Sequence, residues 1–271
     1  MAAPNRSYPT EFVFQAASLF ISVIVVHAIY VAWVRPQADA ILAEQTARMQ
    51  TDPSYVQERS VFVIIRDFEQ ESCFILMLWA LAIMAYKGTM TMREHRLLNM
   101  ELVPLPEGTR ILPQDTRDYV RQIHTLSAAD RRLLLPRALV AALQRFAATR
   151  NIQDVSDTSH GICEAESERL ESELSMVRYI AWAIPSIGFI GTVRGIGDAL
   201  GKAHQAVEGE IAGVTQSLGV AFNSTFIALL ISIVLMFVLH QLQLQQERLA
   251  LDTETYVDEH LIQHLQVPAA S

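Results

Sequence analysis

Apolar residues along this chain gather into four stretches free of charge, and the lengths of those stretches predict its elements. Residues 12–34 run for 23 positions without Asp, Glu, Lys or Arg, and residues 211–246 run for 36. A helix needs about 20 apolar residues to cross the hydrocarbon layer, so both stretches predict spanning helices. Residues 72–86 and 179–193 hold 15 each, which as helix covers only about 22 Å of a roughly 30 Å core. Their flanks lengthen them. Lys87 can snorkel from the end of the first, and the second runs past Arg194 to about Leu200 where that arginine faces protein or the interface. Four spans result, at about 12–34, 72–90, 178–200 and 217–240.

The polar stretches between the spans read as helix rather than sheet. Pro104, Pro106, Gly108 and Pro113 break the chain after the second span. Residues 115–149 form an amphipathic pattern interrupted at Pro136. From about Ser156 one helix runs into the third span, with Ile162, Leu170, Leu174 and Val177 as its apolar contacts. The tail after His240 prolongs the fourth helix. The expected fold is all-α: a polytopic membrane protein with four transmembrane helices, two of them extended into a helical cytoplasmic region. Its divisions are 1–92, the first span pair with an extracytoplasmic connection; 93–177, a cytoplasmic helical insertion; 178–240, the second span pair; and 241–271, a cytoplasmic C-terminal helix.

Lys and Arg near the span ends orient the chain. Arg6, Lys87, Arg93, Arg96, Arg169, Arg178 and Arg248 fall on one side, and Arg35, Arg48, Arg59, Arg66 and Lys202 on the other. Seven against five favours both termini in the cytoplasm. The first span is read as retained, since it is longer than a signal peptide's apolar region and no small-residue cleavage site follows it.

Composition agrees with a membrane class. The chain is 51% hydrophobic and 18% charged, with a mean hydropathy of +0.23. Its formal charge of −8 supplies no basic field for a phosphate backbone, which excludes nucleic acid as the expected ligand. Two cysteines, Cys73 and Cys163, build no disulfide scaffold and have no histidine or second thiol beside them. His260 and His264 are four apart, but Leu261 stands where a metalloprotease motif has glutamate, and a polar helix tail explains them equally. His27 reads as a packed or interfacial residue of the first span. No catalytic residue, metal site or cofactor is expected, and the chain is not read as an enzyme.

The chemistry lies in the last two spans. Eight of the eleven glycines fall between 188 and 219, and Gly188, Gly191 and Gly195 share one helix face, where small residues let helices approach closely. Thr192 lies on that face. In the fourth span Asn223, Ser224 and Thr225 interrupt an apolar helix. Thr192 stands eight residues before the loop that begins near Leu200, and Thr225 eight residues after its end near Ser217. Antiparallel packing therefore puts both hydroxyls at one depth, about 12 Å in from the outer surface at 1.5 Å per residue. Such a level of hydroxyls suits a hydrated path; a hydroxyl bonded only to helix backbone is the plainer alternative. A hydroxyl does not titrate in a useful range. The one acid judged near is Asp198, placed four residues after Arg194 as a candidate charge pair, so a conducting chain would have to borrow its titrating acid from another molecule.

The string Pro185-Ser-Ile-Gly-Phe-Ile-Gly191-Thr192-Val-Arg-Gly195-Ile resembles the third-span signature P-x-x-G-x-x-G-T-V-x-G of the MotA/TolQ/ExbB proton-channel family. Gly219-Val-Ala-Phe-Asn-Ser-Thr225-Phe-Ile-Ala resembles its fourth-span A-L-x-x-T-x-x-G. The likeness covers about 65 residues, and the four-span layout is similar to the MotA branch. It implies a homopentamer in the bacterial inner membrane, with the last two spans around helices of a MotB-, TolR- or ExbD-like single-span partner that brings an ionisable aspartate. By position, Thr192 and Thr225 match the pore threonines, Pro185 the third-span proline, and Gly188, Gly191 and Gly195 the packing glycines. Three positions depart: Arg194 replaces an apolar residue, Ala228 the fourth-span glycine, and Val220 a residue acidic in some members. The function implied is a proton-conducting, stator-like subunit driven by the proton motive force. The alternative is a non-conducting membrane scaffold that packs helices and recruits cytoplasmic proteins.

Overall fold

The computed structural model describes residues 8–51, 60–104, 110–207, 209 and 211–267. They are helical almost throughout, with no strand among them beyond one isolated bridge between Ile111 and Leu265. The all-α expectation holds. Four helical stretches, Glu11–Met49, Phe68–Leu98, Ile152–Gly201 and Ala212–His264, are long and apolar enough to cross a membrane. The chain divides into two compact units, Met1–Ala85 with Met176–Leu239, and Tyr86–Ser175 with His240–Ser271.

The first unit opens with α1 (Tyr8–Ile29), a π-turn (Tyr30–Val34) and α2 (Arg35–Thr51) as one stretch of helix. Helix therefore continues well beyond Arg35, where the uncharged run ends, because a charge ends an apolar run without ending backbone hydrogen bonding. The π-turn carries a bond from the Arg35 N–H to the Tyr30 carbonyl. It sits just before Pro36, whose missing N–H already disturbs the ladder. Val26, Tyr30 and Val34 pack on Phe74, Ile75 and Leu78 of α4 (Phe68–Leu98), and Trp79 donates to the Gln15 carbonyl at 2.9 Å. A short α3 (Val61–Ile64) precedes α4.

The same unit holds most of α8 (Ser175–Gly201) and the first part of α10 (Ala212–His260), joined through the five-residue α9 (Ala203–Val207). Pro185 lies inside α8 and leaves the Ala181 carbonyl without its helical donor. The Ser232 hydroxyl on α10 donates to that carbonyl at 3.3 Å.

The second unit is built on α5 (Thr116–Ile123), α6 (Leu134–Thr149), α7 (Ile152–Glu173) and the end of α10. Its core collects Leu135, Leu139, Leu143 and Phe146 of α6 with Ile123, Val155, Val257 and Leu261. Pro136 does not interrupt this amphipathic stretch. It stands in the first turn of α6, where a missing N–H costs nothing, and the helix instead breaks before Leu134, whose N–H donates to Glu94 at 3.0 Å. The helix entering the third span starts at Ile152, slightly before the expected Ser156, and has one turn residue, Leu174, between α7 and α8. Pro106 and Gly108 of the expected break lie outside the described residues.

Lys87 does not snorkel. Its side chain is 4% exposed and its Nζ donates to Glu173 at 2.6 Å. Salt-bridged burial satisfies the ammonium where reach toward water would have been the alternative.

Candidate functional site

Three successive turns of α8 touch α10 through glycine. A Cβ at Gly188 would stand 2.5 Å from the Ala228 Cβ, one at Gly191 2.5 Å from the Ser224 Cβ, and one at Gly195 2.7 Å from the Ala221 backbone nitrogen. No side chain fits there, so the seam exists only because these positions carry none. Ala228, which departs from the family pattern, faces Gly188, so a small residue is still met by a smaller one across the seam.

This approach brings Thr192 and Thr225 together at one level, as their spacing predicted. Their hydroxyl oxygens are 2.5 Å apart. Thr192 also lies 3.0 Å from the Ala221 carbonyl and 3.3 Å from that of Gly188, and Thr225 lies 3.0 Å from the Gly188 carbonyl. Two hydroxyl protons face more acceptors than they can fill. The pair therefore has several hydrogen-bond directions open to it with the same heavy-atom positions.

The two neighbours on α10 part company. Ser224 is buried, lies against Gly191 and donates to its own helix at the Val220 carbonyl, 2.9 Å away. Asn223 instead lines a cavity of about 340 Å³ with Gln45, Arg66, Asp67 and Gln216. Burial pushes the Asp67 carboxyl above its ordinary value, against the pull of the Arg66 and Arg194 guanidinium groups.

Arg194 does not send its fork to Asp198. Its Nε donates to Glu69 Oε1 at 2.7 Å and its Nη2 to Oε2 at 2.8 Å. The bidentate geometry explains the choice, because a carboxylate presented by another helix can match the planar fork. Asp198 is therefore not the acid at this place. Two carboxylates in the first turn of α4 stand there instead, Glu69 on Arg194 and Glu71, whose buried side chain accepts from Arg35 and, at 2.7 Å, from His27 Nδ1. His27 is accordingly a half-exposed residue of α1 that hydrogen-bonds to Glu71 through Nδ1, which suits the interfacial position expected of it better than a packed one. Among the described residues no group of three His, Cys, Asp or Glu side chains is disposed to hold a metal ion.

The helices that form this seam, together with the α6–α7 region, are where a likeness to known proteins appears. Residues 131–255 match the MotA/TolQ/ExbB proton channel family. No curated protein and no solved structure matches the chain. The MotA/TolQ/ExbB match contains both strings on which the resemblance rests, and it reaches through α6, α7, α8 and α10 to Thr255. Glu69 and Glu71 lie outside it. The signal that marks them in the sequence is position: they precede the second uncharged stretch by three residues and one, as Arg194 ends the third.

Proposed function

We propose that this chain is a proton-conducting, stator-like subunit of an inner-membrane complex driven by the proton motive force. It works with a single-span, MotB-, TolR- or ExbD-like partner that supplies an ionisable aspartate. In this reading the chain is a homopentamer with both termini cytoplasmic, and α8 and α10 of each copy face the partner. The observation that carries the reading is the Thr192–Thr225 hydroxyl pair, two neutral groups at one level with reversible hydrogen-bond direction. The membrane potential supplies about 2.3 kcal/mol per charge per 100 mV to such a path. The large apolar residues left uncovered on these helices, Trp182, Phe189, Phe226 and Phe237 among them, suit a surface that lipid or further copies cover.

One observation favours the scaffold reading: both hydroxyls also reach backbone carbonyls, which is what threonines that merely pack helices do. Proton uptake separates the two. The full chain, purified with its native membrane complex through a tag and placed in liposomes under an imposed potential, is expected to conduct. Replacement of Thr192 and Thr225 by valine abolishes uptake with assembly intact. Unchanged uptake in that variant rejects the conducting role.

A further inference from the structure

The proton-conducting reading borrows its acid from a partner, yet the chain places a carboxylate of its own beside the hydroxyl pair. Glu69 rises from the first turn of α4, and its Cγ lies 3.1 Å from where a Cβ of Gly191 would stand. Gly191 immediately precedes Thr192, so the glycine that lets α10 approach also makes room for the stem of this acid. Arg194, two residues beyond Thr192, grips both carboxylate oxygens.

Burial is unequal within the pair: the Glu69 side chain is 12% exposed and that of Arg194 is 43%. A long arginine near a span end can swing its head toward water, whereas the shorter, more enclosed glutamate stays. The other charges around them do not replace Arg194. Asp67 precedes α4, Asp198 lies one turn beyond Arg194, and both are acidic. The nearby cations are turned elsewhere, Arg66 to Asp39 and Asp67 at 3.5 and 3.7 Å and Arg35 to Glu71. The Cys73 thiol lies one turn along α4, and the Ser224 hydroxyl meets Gly191 from α10. Glu71, two residues on, is taken by Arg35 and His27 together, and its side chain is only 6% exposed. Of the two carboxylates, Glu69 is the one that a single movement uncovers.

We infer that Glu69 is a proton-binding group of the ion path, located next to the Thr192–Thr225 pair, and that Arg194 occupies it while the path is closed. This rests on the conducting reading. In the closed state the carboxylate is anionic and paired. A proton arriving from water converts it to the neutral acid, which releases the guanidinium without loss of its charge. Passing that proton to the next acceptor, the partner's acid, restores the anion and the pair.

Proton uptake by tagged, natively assembled complexes in dye-loaded liposomes tests the assignment, with Glu69→Gln, Arg194→Gln and the exchange Glu69→Arg/Arg194→Glu beside wild type. Expected are loss of uptake in E69Q, retention or increase in R194Q, and no rescue by the exchange. Wild-type uptake in E69Q overturns the assignment. Equal loss in E69Q and R194Q with recovery in the exchange also overturns it, since that is how a structural tether behaves. The valine pair at Thr192 and Thr225 runs alongside. If wild type itself fails to conduct, both readings fall; if the valine pair is silent while E69Q conducts, only this one does. Should E69Q not assemble, labelling by a hydrophobic carbodiimide, which reacts with protonated carboxyls, decides instead. Peptide mass spectrometry should find Glu69 modified more in R194Q than in wild type, and absence of that increase overturns the assignment.

Discussion

The Ser232 hydroxyl donates to the carbonyl of Ala181, the same carbonyl that Pro185 deprives of its helical partner. A proline within a spanning helix is tolerated when a neighbour satisfies the freed group, since no water is there to do it. At 3.3 Å the bond is long for a hydroxyl donor, which places its worth near the low end for such contacts. Ser232→Ala should therefore destabilise the protein by about 0.6–1 kcal/mol. In a Pro185→Ala background the helix supplies its own N–H to Ala181, and the same serine change should then cost nothing. A double-mutant cycle of unfolding in detergent measures that coupling, and purely additive effects would show that the hydroxyl does not answer for the proline.

Glycines two residues apart on α8 should respond in opposite directions. A Cβ at Gly195 would come within 2.8 Å of Ala221 Cβ and the Ser217 carbonyl, while one at Gly197 meets nothing within 4 Å. Gly195→Ala has to push α8 and α10 apart, a cost of roughly 1–3 kcal/mol. Gly197→Ala gains only helix propensity, up to about 1 kcal/mol of stabilisation. Thermal unfolding of the two variants should bracket the wild type, and a destabilised Gly197→Ala with a neutral Gly195→Ala would reverse the assigned face.

Much of this was legible in the sequence because the bilayer constrains the chain so narrowly. A backbone that must satisfy itself in lipid forms helix, so uncharged length located two of the spans outright and the other two once their flanks were added. The equal spacing of Thr192 and Thr225 about one loop was enough to put their hydroxyls at one level. What the uncharged runs concealed was their own borders. Glu69, Glu71 and Arg194 served only to mark where apolar stretches stop, and which border residue meets which is a matter of helix rotation that no single run encodes. Asp198 is only a candidate partner for Arg194 in the sequence, beside outward snorkelling or an acid of another molecule, because four residues along a helix is the nearest distance a sequence displays. Glu69, 125 residues away in the chain, offers the better fork. Ser232 was within reach, since the carbonyl four residues before a proline always needs a donor, but which residue of α10 supplies it depends on the register set by Gly188, Gly191 and Gly195.

Lys87 separates snorkelling from burial by its response to loss of charge. A snorkelling lysine contributes little beyond its stem, so Lys87→Met would be nearly neutral. Its enclosed ammonium, 2.6 Å from a partly exposed Glu173, instead predicts a loss of about 2 kcal/mol, the range of a hydrogen bond between charged groups. Glu173 also lies 3.8 Å from Arg169, which moderates the effect by leaving the carboxylate one cation. The further change Lys87→Met should cost less in a Glu173→Gln background than in wild type, and equal costs in denaturant titrations would refute the pairing.

Asp130 gives the second unit a dependence on acid whose sign is fixed by its partners. The Ser127 hydroxyl and then the Arg93 guanidinium, each 2.7 Å away, hold its carboxyl below the ordinary value of 3.8. A carboxyl whose value is lower folded than unfolded binds protons more readily when unfolded, so its contribution is fully present above the ordinary value. It fades as pH falls through that value and then through the lowered one. Asp130→Asn should accordingly be less stable than wild type by a constant margin from neutral pH down to the ordinary aspartate range, with the two converging below it. The group is solvent-exposed, so added salt should narrow the margin as well. Melting temperatures of wild type and variant across this range measure the difference, and a margin that widens toward acid would mean the carboxyl is held above its ordinary value, against the geometry of Ser127 and Arg93.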